Sequence, residues 1–357
     1  MAEIDRIAIL TLYGNINYGN KLQNYAVEHI FMNYGIEAVT IDYRKKFNLN
    51  NIKKMINILT GYHFSSNKEE RAAEGKKEAL LLNFSSKYLH VKRVTGIKKL
   101  KKKFDYFCVG SDQVWNPTWF DDETKHLMLL DFVEKDKKMT MSVSFGLEEV
   151  PDQWREFYKE RLCGFRRISV REKSAEKIVK GLCDVSVDTY IDPTLMLDSQ
   201  KWEKIAKRPS NYTEEYIEKS VILYFLGEIA DSDMKKIKKI VDDNRLNMIV
   251  LNKNGNIIPS VEEWIYYIGH AGLVFTDSFH GAVFSFLFDR NLIVCKRNDI
   301  YNNMFSRLQN LMEKFRLEDR FVDNCLGENI LKHDYSAGYC TLDIERKKFA
   351  EYIASMI

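Results

Sequence analysis

The stretch Gly272–Phe288 constrains the fold most, because its character changes twice within a short length. Residues 272–275 are apolar and predict a short buried strand. A turn with Asp, Ser, His and Gly follows, and residues 282–288 then return to an apolar pattern that predicts a buried helix. A strand that turns directly into a helix is typical of an open α/β sheet, in which ligands bind at the carboxyl ends of the strands.

The turn itself carries candidate ligand-binding groups. Ser278 or Asp277 can cap the helix, and the helix start favours a phosphate or carboxylate through its N–H groups and partial positive charge. His280 adds an imidazole, the side chain that ordinarily titrates nearest neutral pH. The same residues also suit an ordinary helix cap beside a structural histidine, so the pattern leaves both interpretations open.

The rest of the 357 residues alternates between strand-like and helix-like runs, which predicts two α/β domains. The first covers residues 1–205 as a doubly wound sheet and contains a lysine-rich helical insertion at 44–103. A polar linker precedes the second domain at 215–325. The remainder, 326–357, is a helical tail that we expect to pack back on the first domain.

Composition excludes several classes of protein. A net charge of +3 gives no support for nucleic-acid binding, and no apolar run approaches the ~20 residues of a membrane span. The six cysteines form no Cys-x-x-Cys pair, and Cys108 and Cys295 lie in strand-like runs that predict buried thiols. The acidic N-terminus is unlike a signal peptide, so we expect a cytoplasmic protein. The lysine cluster at 98–103 predicts a solvated face or, at most, a peripheral contact with an anionic membrane.

Two loops at predicted strand ends are further candidates. The first contains Asn17, Tyr18 and Asn20; it fits neither the dinucleotide fingerprint nor a P-loop, and it is either a ligand loop or a plain turn. The second contains Asp112, Trp115 and Asn116, whose aromatic face and hydrogen-bonding groups suit a sugar ring. A tryptophan packed as lid or core explains the second loop nearly as well.

Six short motifs occur in one order along the chain, and together they resemble the polysaccharide pyruvyl transferase family. The chain also has Arg320, which matches a recurrent late arginine of that family. The motifs are Asn17-Tyr18-Gly19-Asn20 with Leu22-Gln23-Asn24-Tyr25-Ala26, Gly110-Ser111-Asp112-Gln113-Val114-Trp115-Asn116, Ser144-Phe145-Gly146, Ser169-Val170-Arg171-Glu172, Asp192-Pro193-Thr194 and Thr276-Asp277-Ser278-Phe279-His280-Gly281.

The resemblance implies two Rossmann-like domains that face a cleft, as in the glycosyltransferase-B class. The first domain would hold the acceptor and the second the donor. It implies that the enolpyruvyl carbons of phosphoenolpyruvate move to a sugar of a capsule or exopolysaccharide or its precursor, forming a ketal and releasing phosphate. Phosphoenolpyruvate would be a co-substrate, with no cofactor and no metal, and the acceptor would be free or lipid-linked. Better-described members have Arg-Leu where this chain has Ser278-Phe279, so another basic group must replace that arginine.

The residues fit this chemistry. Arg171 can grip a carboxylate with two prongs, which a lysine cannot. Changing Arg171 to lysine is therefore expected to raise the Michaelis constant for phosphoenolpyruvate, and to leave the melting temperature nearly unchanged because Arg171 ends a strand. His280 is the candidate general acid and base, with Asp277 as its orienting group or only a cap. The other candidate substrate-binding residues follow the same motifs or the His280 helix: Ser278, Gly281, Ser144, Lys296, Arg297 and Arg307.

Two other functions remain open on the sequence. A glycosyltransferase that uses a nucleotide sugar would have the same class of fold, because fold does not determine function. A non-catalytic sugar-binding protein is a third possibility, favoured by Ser278-Phe279 and opposed by the intact His280 and Arg171. The identity of the donor distinguishes these alternatives.

Overall fold

The computed structural model describes residues 6–14, 17–44, 68–251, 257–296, 305–324 and 330–357. The chain forms two compact units. Unit 1 contains Met1–Arg71, Leu81–Met196 and Glu345–Ile357, and unit 2 contains Ala72–Leu80 and Leu197–Ile344. The boundary predicted after residue 205 therefore falls inside unit 2, and the predicted tail is divided between the two units.

Unit 1 contains a parallel sheet of five strands in the order β3-β2-β1-β4-β5. Isolated bridges Asp112–Val143 and Val143–Val170 continue it towards the parallel pair β6-β7. The strand order reverses between β1 and β4, which makes this the switch point where such sheets bind ligands. The strands are β1 Arg6–Leu10, β2 Glu37–Tyr43, β3 Val91–Val94, β4 Tyr106–Val109, β5 Lys138–Thr140, β6 Arg167–Val170 and β7 Ser186–Thr189.

Helices connect these strands. The α-helices that begin in unit 1 are α1 Tyr18–Asn33, α2 Lys68–Tyr88, α3 Ile97–Lys101, α4 Asp122–Met128, α5 Asp152–Leu162 and α6 Lys173–Leu182. Short 3-10 turns cover Lys135–Lys137 and Pro193–Met196. The middle of α2 groups with unit 2, whereas its buried Phe84 packs on Tyr25 of α1.

Unit 2 repeats this plan with a parallel sheet in the order β11-β10-β8-β9, extended by bridges Leu251–Ile257 and Val294–Phe321. Its switch point lies between β8 and β10. The strands are β8 Ser220–Tyr224, β9 Asn247–Leu251, β10 Leu273–Thr276 and β11 Asn291–Val294. The α-helices are α7 Ser199–Glu203, α8 Glu214–Glu218, α9 Asp231–Asp243, α10 Val261–His270, α11 Phe279–Leu287 and α12 Phe305–Phe315, with a 3-10 turn at Glu318–Arg320.

The last helix, α13 at Ser336–Met356, begins in unit 2 and ends in unit 1. Within unit 1, Phe349 stacks on Tyr190, and the Tyr352 hydroxyl donates to the Thr140 carbonyl at 2.9 Å. Aromatic packing and a buried hydrogen bond thus hold this end of the helix against the sheet.

Two Rossmann-like α/β units are confirmed. The apolar runs of β1 and β10 are buried, as expected for parallel strands covered on both faces. Cys108 and Cys295 are buried as predicted, and burial raises the pKa of each thiol. Strand β3 was not predicted, because a short charged edge strand lacks the regular spacing of apolar residues by which strands are recognised. Within the described residues, none of the helices combines the length and apolar character needed to cross a membrane.

Candidate functional site

The turn after β10 is built by close packing and one side-chain cap. Ser278 caps α11, and its hydroxyl accepts a hydrogen bond from the Gly281 N–H at 3.3 Å. A Cβ at Gly281 would lie 2.5 Å from Oγ1 of Thr276. Glycine therefore lets the first turn of α11 rest directly on the end of the strand, and of the two predicted caps Ser278 is the one used.

Asp277 has a structural contact that the sequence did not suggest. Its Oδ1 accepts from the Leu226 N–H at 2.7 Å and its Oδ2 from the Gly227 N–H at 2.8 Å. Both backbone donors follow β8, the strand on the other side of the switch point. The carboxylate therefore joins the two loops that surround this switch point.

His280 is the second residue of α11 and is only 9% exposed. Its ring packs edge-on against Phe279, with 5.3 Å between the centroids. The first turn of a helix is its positive end, so the imidazole lies where an anion is favoured. Lys296 follows the neighbouring strand β11 and is exposed, whereas Arg307 on α12 is buried.

The carboxyl edge of the unit 1 sheet has a different chemistry. Arg171 follows β6, and its side chain is 3% exposed among three carboxylates. Its Nη1 donates to Asp192 at 2.8 Å, its Nη2 lies 3.6 Å from Asp112, and its Nε lies 3.7 Å from Glu172. Burial lowers the pKa of Arg171, but the attraction of the carboxylates outweighs that effect and raises it overall. The four residues form an acid cluster around one guanidinium.

Each carboxylate of this acid cluster is held by further donors. Asp192 accepts from the Ser111 hydroxyl at 3.1 Å and from the Thr194 hydroxyl at 2.7 Å. Glu172 accepts from the Ser144 hydroxyl at 2.6 Å. These bonds compensate part of the cost of burying charge and hold the carboxylates in fixed orientations.

Asp112 stands out within the acid cluster. It accepts from Asn20 Nδ2 at 2.6 Å and from the Gln113 N–H at 2.9 Å. Its φ of +80° lies in the left-handed region, which is uncommon for any residue other than glycine and is enriched at functional sites. Asn20 follows β1 and Asp112 follows β4, so their hydrogen bond crosses the switch point of this sheet.

A comparison with models of protein families matches residues 17–299 to the model described as polysaccharide pyruvyl transferase. That match covers well over half of the chain. The chain belongs to the polysaccharide pyruvyl transferase family. No protein among the curated sequences matches it.

Solved structures resemble this pyruvyl transferase family member over almost its whole length, at low identity. The MnaA–UDP co-structure from S. aureus has 11% identity and a TM-score of 0.44, covering 99% of this chain and 98% of that one. SnogD, a glycosyltransferase from Streptomyces nogalater, has 9% identity and a TM-score of 0.42, covering 99% and 100%. UDP-GlcNAc 2-epimerase from Neisseria meningitidis, bound to UDP-GlcNAc, has 9% identity and a TM-score of 0.42, covering 97% and 100%.

The structure gives Arg171 a different environment from the one expected on the sequence. A two-pronged grip on a substrate needs a guanidinium edge that is not already committed, yet Nη1 is bonded to Asp192 and the side chain is almost wholly buried. The expectation that Arg171→Lys leaves the melting temperature nearly unchanged does not fit this environment. Arg171 comes directly after a strand, but it is not exposed there, because loops from neighbouring strands cover it.

Several other motif residues build the loops. Trp115 is fully buried, its indole N–H donates to the Met128 carbonyl at 2.9 Å, and its ring packs on Phe145. This tryptophan is core, so the sugar-stacking interpretation of its ring is wrong. Asn116 closes a turn by accepting from the Thr118 N–H at 3.0 Å and the Thr118 hydroxyl at 2.7 Å.

At the start of α1, Asn17 caps the helix by accepting from the Asn20 N–H at 2.9 Å, and Tyr18 is buried. Arg320 donates to the Lys332 carbonyl at 2.7 Å. Its positive charge opposes the rise in the pKa of Tyr335 that burial causes. The Tyr335 hydroxyl in turn donates to the Arg290 carbonyl ahead of β11. The backbone of Arg320 directly precedes Phe321, which forms a bridge with Val294 at the end of β11. Arg297 lies outside the described residues.

Sequence reasoning missed Glu172 and Asp192 as site residues, although both stand in the motifs. The available signal was an acidic residue directly after each of two predicted strands. In the described part of the chain, no group of three or more His, Cys, Asp or Glu residues is arranged to hold a metal ion.

Proposed function

We propose that this family member transfers the pyruvyl group of phosphoenolpyruvate to two hydroxyls of a sugar, forming a ketal and releasing phosphate. The observation that carries the proposal is the position of His280 in the first turn of α11, at the carboxyl edge of the unit 2 sheet. A titratable imidazole beside a helix start combines a proton carrier with an anion-binding position.

Unit 2 is the proposed donor side. Phosphoenolpyruvate carries a phosphate and a carboxylate, and the start of α11 favours such groups through the helix dipole. Lys296 and Arg307 supply the positive charge that better-described members provide with an arginine at the Ser278 position. Ser278 and Gly281 bring the helix start close to the end of the strand, where the donor would bind.

Unit 1 is the proposed acceptor side. Three carboxylates around one guanidinium leave an excess of negative charge, which opposes an anionic donor but accepts hydrogen bonds from neutral sugar hydroxyls. Asp112 is the carboxylate best placed to accept a hydrogen bond from a hydroxyl, because its side chain, at 12% exposed, is the least buried of the three at the switch point. Arg171 acts as a positioning residue that holds the carboxylates in place.

The proton balance of ketal formation fits these roles. A proton from His280 adds to the methylene carbon of phosphoenolpyruvate, and a sugar oxygen bonds to the neighbouring carbon. The hydroxyl proton of that sugar oxygen returns to the imidazole of His280. The bond from the carbon to the phosphate oxygen then breaks, the second sugar oxygen bonds to the same carbon, and its hydroxyl proton leaves with phosphate. Because phosphoenolpyruvate is made in the cytoplasm, the proposal places the reaction there.

Incubation with phosphoenolpyruvate and a panel of free and lipid-linked oligosaccharides tests the proposal. We expect phosphate release, together with a mass increase of the acceptor equal to one pyruvate ketal. A thermal-shift comparison with nucleotide sugars serves as the control for the donor. Stabilisation and turnover with a nucleotide sugar, and neither with phosphoenolpyruvate, would identify a glycosyltransferase instead.

A further inference from the structure

A cluster of positive charge lies on β3 and on the segment that connects the carboxyl end of β3 to the amino end of β4. Residues 91–103 contain seven cations and no acidic residue. Within this stretch α3 buries Leu100 and exposes the lysines around it, namely Lys98, Lys99, Lys101, Lys102 and Lys103.

Tertiary contacts add cations from other elements to this stretch. The Phe104 ring lies within 6 Å of both the Arg6 guanidinium, at 5.3 Å, and Lys92 Nζ, at 5.7 Å. Glu134 joins Lys101 of α3 to Lys137 of the next turn, at 3.4 and 3.3 Å. We call the cations of residues 91–103, together with Arg6, Lys135 and Lys137, the basic face.

The charge of the basic face exceeds that of the whole protein. It has ten cations, and the carboxylates that pair with it or adjoin it in sequence among the described residues number five, Glu37, Asp42, Asp105, Glu134 and Asp136, so together these residues carry a net charge of +5. The whole chain carries +3, which leaves −2 for everything else. Positive charge is therefore concentrated on one edge of unit 1 rather than spread over the surface.

The type of cation that remains exposed points to the kind of partner. Arg6 is paired with Glu37 at 2.9 Å and Arg93 with Asp42 at 3.0 Å, so the two forked guanidinium groups are already engaged. Among the described residues, no carboxylate forms a salt bridge with Lys98, Lys99, Lys102 or Lys103. Lysines act as point charges without fixed geometry, which suits a diffuse anionic plane.

The aromatic residues beneath the basic face do not serve nucleic-acid binding. Phe104 and Phe107 pack edge-on against each other and are buried, so their rings are not available to stack on bases. We infer that the basic face binds the anionic surface of a lipid bilayer. Clusters of four to eight lysines or arginines are a pattern that indicates binding to anionic lipids.

Sedimentation of the full protein with vesicles tests this inference. Vesicles of equal parts phosphatidylglycerol and phosphatidylcholine, in about 0.1 M salt, leave the Debye length at ~10 Å. We expect binding to these vesicles and none to pure phosphatidylcholine. A variant with Lys98, Lys99, Lys102 and Lys103 all changed to Gln should bind at least ~10-fold more weakly, because each lysine near an anionic surface contributes about fivefold.

Helix α9 provides the matched control. Changing Lys235, Lys236, Lys238 and Lys239 to Gln removes the same charge from a helix that also carries four aspartates. This variant should keep vesicle binding within about twofold of the parent. Both variants should retain the parental melting temperature, since the replaced side chains are on the surface.

Three results would overturn the inference. The parent protein could fail to bind the anionic vesicles, or the two variants could lose binding equally, which would indicate overall charge alone. Double-stranded DNA could instead bind the basic face more tightly than the vesicles do and be released by the same four substitutions. The basic face would then be a nucleic-acid surface.

Discussion

The carboxyl edges of the two sheets have the same topology and opposite electrostatics. In unit 1, Arg171 is surrounded by Asp112, Glu172 and Asp192, so carboxylates outnumber cations. In unit 2, backbone N–H groups satisfy the carboxylate of Asp277, and the N–H groups at the start of α11 give the edge a partial positive charge. In both sheets the strand order determines where a ligand can bind, whereas the side chains after each strand determine which charge the ligand must have.

The largest expected effect is on catalysis and concerns unit 2. His280→Ala should lower turnover by about 10²- to 10⁴-fold, the usual contribution of a positioned general acid or base. His280→Gln should be almost as inactive, because an amide forms hydrogen bonds but cannot carry the proton. Steady-state kinetics over a range of pH should show a limb of the parent profile that both variants lack.

The control for His280 is another histidine of the same unit. His270 on α10 stacks on Tyr266, and its Nδ1–H donates to the Tyr266 carbonyl at 3.1 Å, so His270→Gln should retain near-parental turnover. Near-normal turnover of His280→Gln with an unchanged pH profile would show that His280 only positions other groups. The proton would then have to come from elsewhere, with Asp112 and Asp277 as the next candidates.

The second effect is on the stability of unit 1. Arg171→Met leaves three buried carboxylates without their cation, and removing one partner of a buried ion pair costs about 3–5 kcal/mol. Arg171→Lys keeps the charge but not the planar geometry, so its loss should be smaller. Urea denaturation measures the free energy of unfolding of each variant.

Arg167, the first residue of β6, offers a matched comparison. Its side chain is 33% exposed and its Nη2 donates to Asp188 at 2.8 Å, so Arg167→Met should cost well under half as much as Arg171→Met. Equal stability of the parent and the two Arg171 variants, together with a raised Michaelis constant for phosphoenolpyruvate, would contradict the positioning role. Arg171 would then be a donor-binding residue despite its burial.

The smallest effect concerns Lys21, a second buried cation of unit 1. It is 1% exposed, its Nζ donates to the Tyr13 carbonyl at 3.3 Å and lies 4.5 Å from the Tyr13 ring centre. Burial lowers the pKa of Lys21 to about 8, and attraction to Asp42 opposes the shift only in part. Lys21→Met should therefore stabilise the protein at pH 7 by ~1–3 kcal/mol.

The stabilisation by Lys21→Met should depend on pH with a defined sign. Between a pKa of about 8 in the folded state and the ordinary value of 10.5, the unfolded chain binds more protons. The stability of the parent protein therefore rises with pH across this window, and the advantage of the variant shrinks. Denaturation at pH 7 and pH 10 measures the difference, with exposed Lys102→Met as the control. A variant less stable than the parent at pH 7 would show that the contacts of Lys21 outweigh its desolvation.

Much of the fold could be predicted because its strands are buried on both faces. Continuous apolar runs such as Ile7–Leu10 and Leu273–Phe275 fall at β1 and β10, and the polar turn before an apolar helix predicted the Ser278 cap. Strand β3 escaped prediction, since an edge strand of the sequence Val-Lys-Arg-Val is defined by its partner β2. Trp115 looked like a ligand-binding group because sequence cannot distinguish an aromatic ring beside a site from one beneath it.

Three properties can be read from the sequence alone: the alternation of strands and helices, the motif order that identifies the family, and the placement of polar residues after strand ends. They are local properties, visible in periodicity and composition. The partners of the charged groups, by contrast, depend on the tertiary structure. Residues 112 and 192 are distant from Arg171 in sequence, and they lie beside it because parallel strands end at one edge. The energy of a buried charge depends on such neighbours rather than on the residue itself.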